Sequence, residues 1–124
     1  MRFLRRRAAR QAVNAFLSSR EPLSVEKWGV EILGETVEPS LASFVICHLG
    51  SYSGLSVERF RASDRLVEDL RWGDVTYGDW ELDLIEDFAR AFHVSLVKRL
   101  HGRTFHTAGE LIAFLVHCAR RRPT

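Results

Sequence analysis

Apolar residues recur at spacings of three and four in four separate stretches of this chain, a period that suits helices packed through one face. The first stretch, residues 2–19, carries Ala9, Ala12, Val13, Phe16 and Leu17, and Ser18-Ser19 followed by Pro22 closes it. The second carries Leu41, Phe44, Val45 and Leu49, with Ser40 placed to cap its start after Pro39 and Gly50 placed to stop it. The third starts at Asp79, a capping residue type, and runs to about Phe92. Leu82, Ile85, Ala89 and Phe92 form its predicted inner face, and Glu81, Asp83, Glu86, Asp87 and Arg90 take the remaining positions. The fourth has the most explicit start: Thr107 and Glu110 stand at capping-box spacing, in which each side chain bonds the other's free backbone amide. Leu111, Phe114, Leu115 and Cys118 follow on one face, and arginines at the end suit the negative end of the helix dipole.

Between these stretches the pattern is weaker. Trp28, Val30 and Ile32 alternate like a short strand, while Val25, Trp28 and Ile32 also suit a helix turn, so residues 20–39 read as a connector with apolar anchors. Residues 51–63 read as a Ser- and Gly-rich loop pinned by Leu55, Val57 and Phe60, and Leu66, Val67 and Leu70 as a short buried turn. The prediction is an all-α fold: a small bundle of three main helices and one short one over residues 40–119, preceded by a basic amphipathic helix and connector over 1–39 and followed by a basic tail at 120–124.

At 124 residues, 46% of them apolar, the chain is long enough to bury one core without staples. Its two cysteines, Cys47 and Cys118, each lie in an apolar stretch, so buried free thiols and a reducing, cytoplasmic setting are expected. No apolar run reaches membrane-spanning length, and the N-terminal arginines are not followed by the apolar core of a secretory signal. The formal net charge is only +2, but it is unevenly spread. Arg2, Arg5, Arg6, Arg7 and Arg10 open the chain, and Arg120, Arg121 and Arg122 stand near its end. From Glu68 to Asp87 the balance reverses, with Glu68, Asp69, Asp74, Asp79, Glu81, Asp83, Glu86 and Asp87 against Arg71.

Catalytic and metal chemistry find little in this pattern. His101 and His106 are five apart, His117 adjoins Cys118, and neither H-x-x-x-H nor C-x-x-C spacing occurs, so no metal is expected. Cys47 and His48 are adjacent, and adjacent helical residues point in different directions, which argues against a thiol–imidazole pair. No Gly-rich loop or assisting base accompanies the acids, so an enzyme is not expected.

Three segments, taken in order, resemble one family. Ala62-Ser63-Asp64-Arg65-Leu66-Val67-Glu68-Asp69-Leu70 is similar to the loop before the second helix of acyl carrier proteins. Glu81 to Leu96, ELDLIEDFARAFHVSL, resembles that family's acid-rich second helix and its exit, and Phe105 to Leu115, FHTAGELIAFL, the start of its last helix. With residues 40–50 as first helix, the resemblance covers 40–119. It departs from the family where the phosphopantetheine arm attaches. Family members carry a serine there, usually within Asp-Ser-Leu; here the matching residues are Tyr77-Gly78-Asp79, similar to a subgroup in which a Gly-Asp pair replaces the serine. Gly78 has no nucleophilic oxygen, so no cofactor is expected.

What the resemblance leaves is a docking surface. In the family the acidic second helix meets basic patches on partner proteins, which implies a partner site at Asp79, Glu81, Asp83, Glu86 and Asp87, flanked by the aromatics Trp72, Tyr77 and Trp80. Clustered charge of one sign steers association with a basic partner and is weakened by salt. The expected function is thus a non-catalytic adaptor for a basic protein. Other readings stay open: a carrier modified at a displaced residue such as Thr76, a nucleic-acid or membrane-surface module led by the arginine helix, and a homodimer in which that helix meets the acidic helix of a second copy.

Overall fold

A computed structural model describes residues 2–121, of Arg2 only the backbone; Met1 and residues 122–124, which include most of the expected basic tail, lie outside the described residues. The fold is all-α. Seven helices follow in order among the described residues: α1 (Arg2–Leu17), α2 (Val25–Leu33), α3 (Pro39–Ser53), α4 (Trp72–Val75), α5 (Trp80–Phe92), α6 (Val97–Leu100) and α7 (Ala108–Arg120), with a 3-10 turn at Val57–Arg59. Among the described residues the only β-type pairing is an isolated bridge between Arg65 and Thr107.

The segment expected as a connector is helical and central. Ser24 caps α2 by accepting from the Lys27 amide, and Gly34 closes it in the left-handed conformation. This places Trp28 at the centre of the core, fully buried, with its indole Nε1 donating to the Val57 carbonyl at 3.3 Å. The alternation of Trp28, Val30 and Ile32 misleads because Val30 is exposed; Trp28 and Ile32, four apart, form the buried stripe. Ala9, Val13 and Leu17 of α1 belong to the same apolar cluster as the buried residues of the later helices. Ala12 and Phe16, predicted with them, face outward.

Four further expectations shift. Helix α3 starts one residue before Ser40, with Glu38 at the cap position and Pro39 in the first turn, and runs through Gly50 to end at Gly54. Gly54 has φ +70°, and a Cβ there would meet the Arg10 side chain at 2.8 Å, so both backbone and space favour glycine. Cys47 is exposed, whereas Cys118 is buried as expected; both are free thiols. In α5 the inner face is Leu84, Phe88 and Phe92, with Ile85 and Ala89 half-buried, while Leu82 points out at 61% exposure. Val67 is likewise exposed, unlike its neighbours Leu66 and Leu70.

Helix α7 begins as the sequence predicts. Thr107 Oγ1 accepts from the Glu110 amide at 3.2 Å and Glu110 Oε2 accepts from the Thr107 amide at 3.2 Å. Two more free amides of this first turn are met by the preceding loop: Ala108 N–H donates to the Asp64 carbonyl and Gly109 N–H to that of Ala62. At the other end Arg120 is tied down, bonding the Glu35 and Glu38 carboxylates and the Thr36 carbonyl. Among the described residues no helix is long and apolar enough to cross a membrane.

Candidate functional site

Helix α5 distributes the five predicted acids round its circumference instead of gathering them on one face. Asp79 and Glu86 lie on the outer side with Leu82, at spacings of three and four. Glu81 turns toward α4, where it borders a cleft. Asp83 and Asp87 turn inward and are engaged. Tyr77 OH donates to Asp83 Oδ2 at 2.6 Å, Tyr52 OH donates to Asp87 Oδ2 at 2.6 Å, and His48 Nδ1 lies 3.2 Å from the same oxygen. The ring of His48 rests on Phe44, 4.1 Å between centroids. Arg90 pairs with the other Asp87 oxygen at 3.6 Å. Asp83 and Asp87 therefore clasp α5 to α3 and to the 72–79 segment, and Tyr77 serves that clasp. Asp79, Glu81 and Glu86 pair with no cation among the described residues. Although Asp79 occupies the α5 cap position, its side chain makes no capping bond.

The clasp raises both tyrosines. The hydrogen bond to Asp83 pushes Tyr77 up to about 12, and burial, reinforced by the bond to Asp87, pushes Tyr52 higher. These are the only two tyrosines in the chain, so phenolate absorbance of the folded protein should stay flat through the ordinary tyrosine range near pH 10 and rise only toward about 12. The fold holds these phenolic protons more tightly than the unfolded chain does. Their stabilisation is therefore complete below about pH 10 and is lost as pH rises from there through the folded value. A spectrophotometric titration followed beside far-UV circular dichroism checks this, and ionisation near pH 10 with helicity intact would remove the clasp.

The predicted aromatics divide in the same way. Trp72 is buried and meets Trp80 edge to face, centroids 5.7 Å apart at 90°, and Phe60 on another side at 6.5 Å. Its Nε1 is buried and finds no hydrogen-bond acceptor among the described residues. Trp80 is half-buried. Together they wall a cleft of about 270 Å³ whose apolar lining is completed by Leu66, Val67, Leu100 and Phe105, with Glu81 and Arg103 at its edge. Sequence reasoning missed Val67, Leu100 and Phe105 because each reads locally as a core residue, and Leu100 is indeed buried.

Gly78, where the family resemblance places a serine in other proteins, is exposed just before α5, and a Cβ built there meets nothing within 4 Å. Packing does not dictate the missing side chain. Thr76 is buried, its hydroxyl donating to the Trp72 carbonyl at 2.6 Å, and so is not presented for modification.

The arginine helix does not lie against the acidic one through ion pairs. Arg10 donates to the carbonyls of Val75 and Tyr52, which anchors α1 to α4 and to the end of α3, and Arg5, Arg6 and Arg7 pair with no acid among the described residues. No group of three or more potential metal-ligating side chains gathers among the described residues. Compared with known proteins, the chain matches no family model, no curated protein and no solved structure.

Proposed function

We propose that the protein is a non-catalytic docking module that takes a basic partner segment on α5 and seats an apolar side chain of that segment in the Trp72–Trp80 cleft. The observation that carries this reading is the position of the cleft: it opens at the start of α5, where Glu81 borders it, and Asp79 and Glu86, which pair with no cation among the described residues, lie on the outer side of the same helix. Buried aromatic walls give an anchor residue apolar area to fill, and the acids of α5, with Glu81 at the cleft edge, favour cationic flanks on the α5 side. The contact set is narrower than the sequence suggests. Asp79, Glu81 and Glu86 steer, Trp80 and Val67 touch the anchor, Trp72 backs the wall, and Tyr77, Asp83 and Asp87 hold the helix in place. The order of α3, α5, short α6 and α7 supports the likeness to an acyl-carrier bundle, as does the open position of Gly78, and in that likeness the module is a carrier relative without an arm.

A lysine-rich peptide with one central leucine tests the reading through intrinsic tryptophan fluorescence. It is expected to bind saturably and more weakly as salt is raised, while the same peptide with serine at its centre binds at least about tenfold more weakly. Val67→Asp changes an exposed position and should abolish the leucine preference; Glu81→Lys should remove most of the salt dependence. Equal binding of an acidic peptide, or indifference to both substitutions, would overturn the proposal. Incubation with coenzyme A and a broad-specificity phosphopantetheinyl transferase should leave the intact mass unchanged; a gain of one phosphopantetheine would make the chain a carrier with a displaced attachment site.

A further inference from the structure

The arginines of this protein sort into those the fold uses and those it does not. Arg20 pairs with Asp64, Arg65 with Asp69, Arg71 with Asp74, Arg90 with Asp87, and Arg120 with Glu35 and Glu38. Arg10, Arg59 and Arg61 donate to backbone carbonyls. Apart from the arginines of α1, those left with neither partner among the described residues are Arg99, Arg103 and Arg121, and all three line one cleft of about 830 Å³ between the α6 end and the outer side of α7. His117 joins them, its Nε2 at 3.5 Å from Arg121 Nη1. The only acid in the lining is Glu110, whose Oε2 is already engaged by the Thr107 amide and hydroxyl in the α7 cap. Phe105 and Phe114 supply the apolar part, centroids 5.2 Å apart, and the Arg103 guanidinium stacks on Phe114 at 5.0 Å.

We propose that this cleft is a binding site for a small organic phosphate, its phosphate held by Arg99, Arg103 and Arg121 and its ring or apolar part laid against Phe105. Three arginines facing one engaged carboxylate leave an excess of positive charge that a dianion matches better than a monoanion, and a phosphate monoester is close to dianionic at neutral pH. Guanidinium forks bond phosphate oxygens in bidentate fashion. Stacking on Phe114 already orients Arg103, which lowers the ordering cost of binding. The volume falls in the range of small-molecule sites. This site adjoins the proposed partner contact, and its test, which uses no peptide, does not depend on that reading. The two clefts do share the wall Arg103-Thr104-Phe105.

Titration of the full chain with phenyl phosphate, inorganic phosphate and phenol, followed by amide NMR shifts, decides the matter. Phenyl phosphate is expected to saturate the protein, shifting resonances of residues 99–105 and 110–121, at least about tenfold more tightly than inorganic phosphate, with no saturation by phenol. Arg99→Gln and Arg103→Gln should each weaken phenyl phosphate about tenfold, and Arg7→Gln on α1 should leave it unchanged. Arg99 is exposed and unpartnered, so its variant tests the site even where loss of the Arg103 stacking disturbs the loop. Absence of saturation at millimolar phenyl phosphate, equal affinity for inorganic phosphate, or an equal loss in Arg7→Gln would overturn the proposal, the last by showing charge attraction without a site.

Discussion

Replacing Trp28 with alanine is expected to cost about 3–5 kcal/mol of folding stability, which for a domain of this size removes much of the total. The indole is fully buried and its Nε1 hydrogen bond to Val57 ties α2 to the 3-10 turn. Truncation removes the transfer energy of a fully buried indole, leaves a cavity between α2, α3 and α7 that rigid helices cannot close, and strips the Val57 carbonyl of its donor. Urea unfolding followed by circular dichroism measures the effect as a fall in midpoint at nearly constant slope. Trp28→Phe should recover most of the packing and lose the hydrogen bond, placing it between the two. A loss below about 1 kcal/mol for the alanine variant would mean that α2 is dispensable and that residues 40–119 hold a core alone.

That result would also measure how much of this fold is legible in the sequence. Helix α7 is readable because its start is written in a local reciprocal bond, Thr107 with Glu110, whose strength does not depend on the rest of the chain. Helix α5 is readable in extent but not in rotation: Leu82 looks like a core residue until Leu84, Phe88 and Phe92 are placed, and only the tertiary contacts choose between two overlapping apolar stripes. Helix α3 outlasts Gly50 because an interior glycine costs only about 1 kcal/mol, less than burial of Tyr52 two residues further on returns. Helix α2 hides because nine residues offer too few periods to separate a helix from a strand, and its cap at Ser24 reads equally well as loop composition. For the site, charge is visible in sequence and its use is not. Nothing local tells Asp83 and Asp87, which are bonded by tyrosines, from Asp79 and Glu86, which are not. The tyrosines involved come from α3 and from the segment before α5.

The second large effect is expected at Asp64, one of the few buried polar residues and the only buried carboxylate among the described residues. Its two oxygens accept both terminal nitrogens of Arg20, at 2.7 and 2.9 Å, and the Arg61 amide at 2.7 Å, while its own carbonyl accepts the first amide of α7. One residue thus joins the turn that follows α1, the 61–66 loop and the start of α7. Asp64→Ala leaves the Arg20 guanidinium without its counter-charge and the Arg61 amide without an acceptor. The expected loss is about 3 kcal/mol, the lower end for a broken buried pair, because the Arg20 side chain keeps 22% of its surface in water. The companion change Arg20→Leu leaves a buried carboxylate unpaired and should cost at least as much. The double variant Arg20→Leu with Asp64→Ala removes both charges together and should be less destabilised than the sum of the singles by about 1 kcal/mol or more. A double-mutant cycle by urea unfolding reads this directly. Strict additivity would show that Asp64 acts only through the backbone amides of the loop and that Arg20 is a bystander. Coupling would establish that a charge pair at Arg20, three residues past the arginine-rich first helix, fastens that end of the helix to the bundle; within the helix Arg10 is held by backbone carbonyls, and Arg5, Arg6 and Arg7 pair with no acid among the described residues.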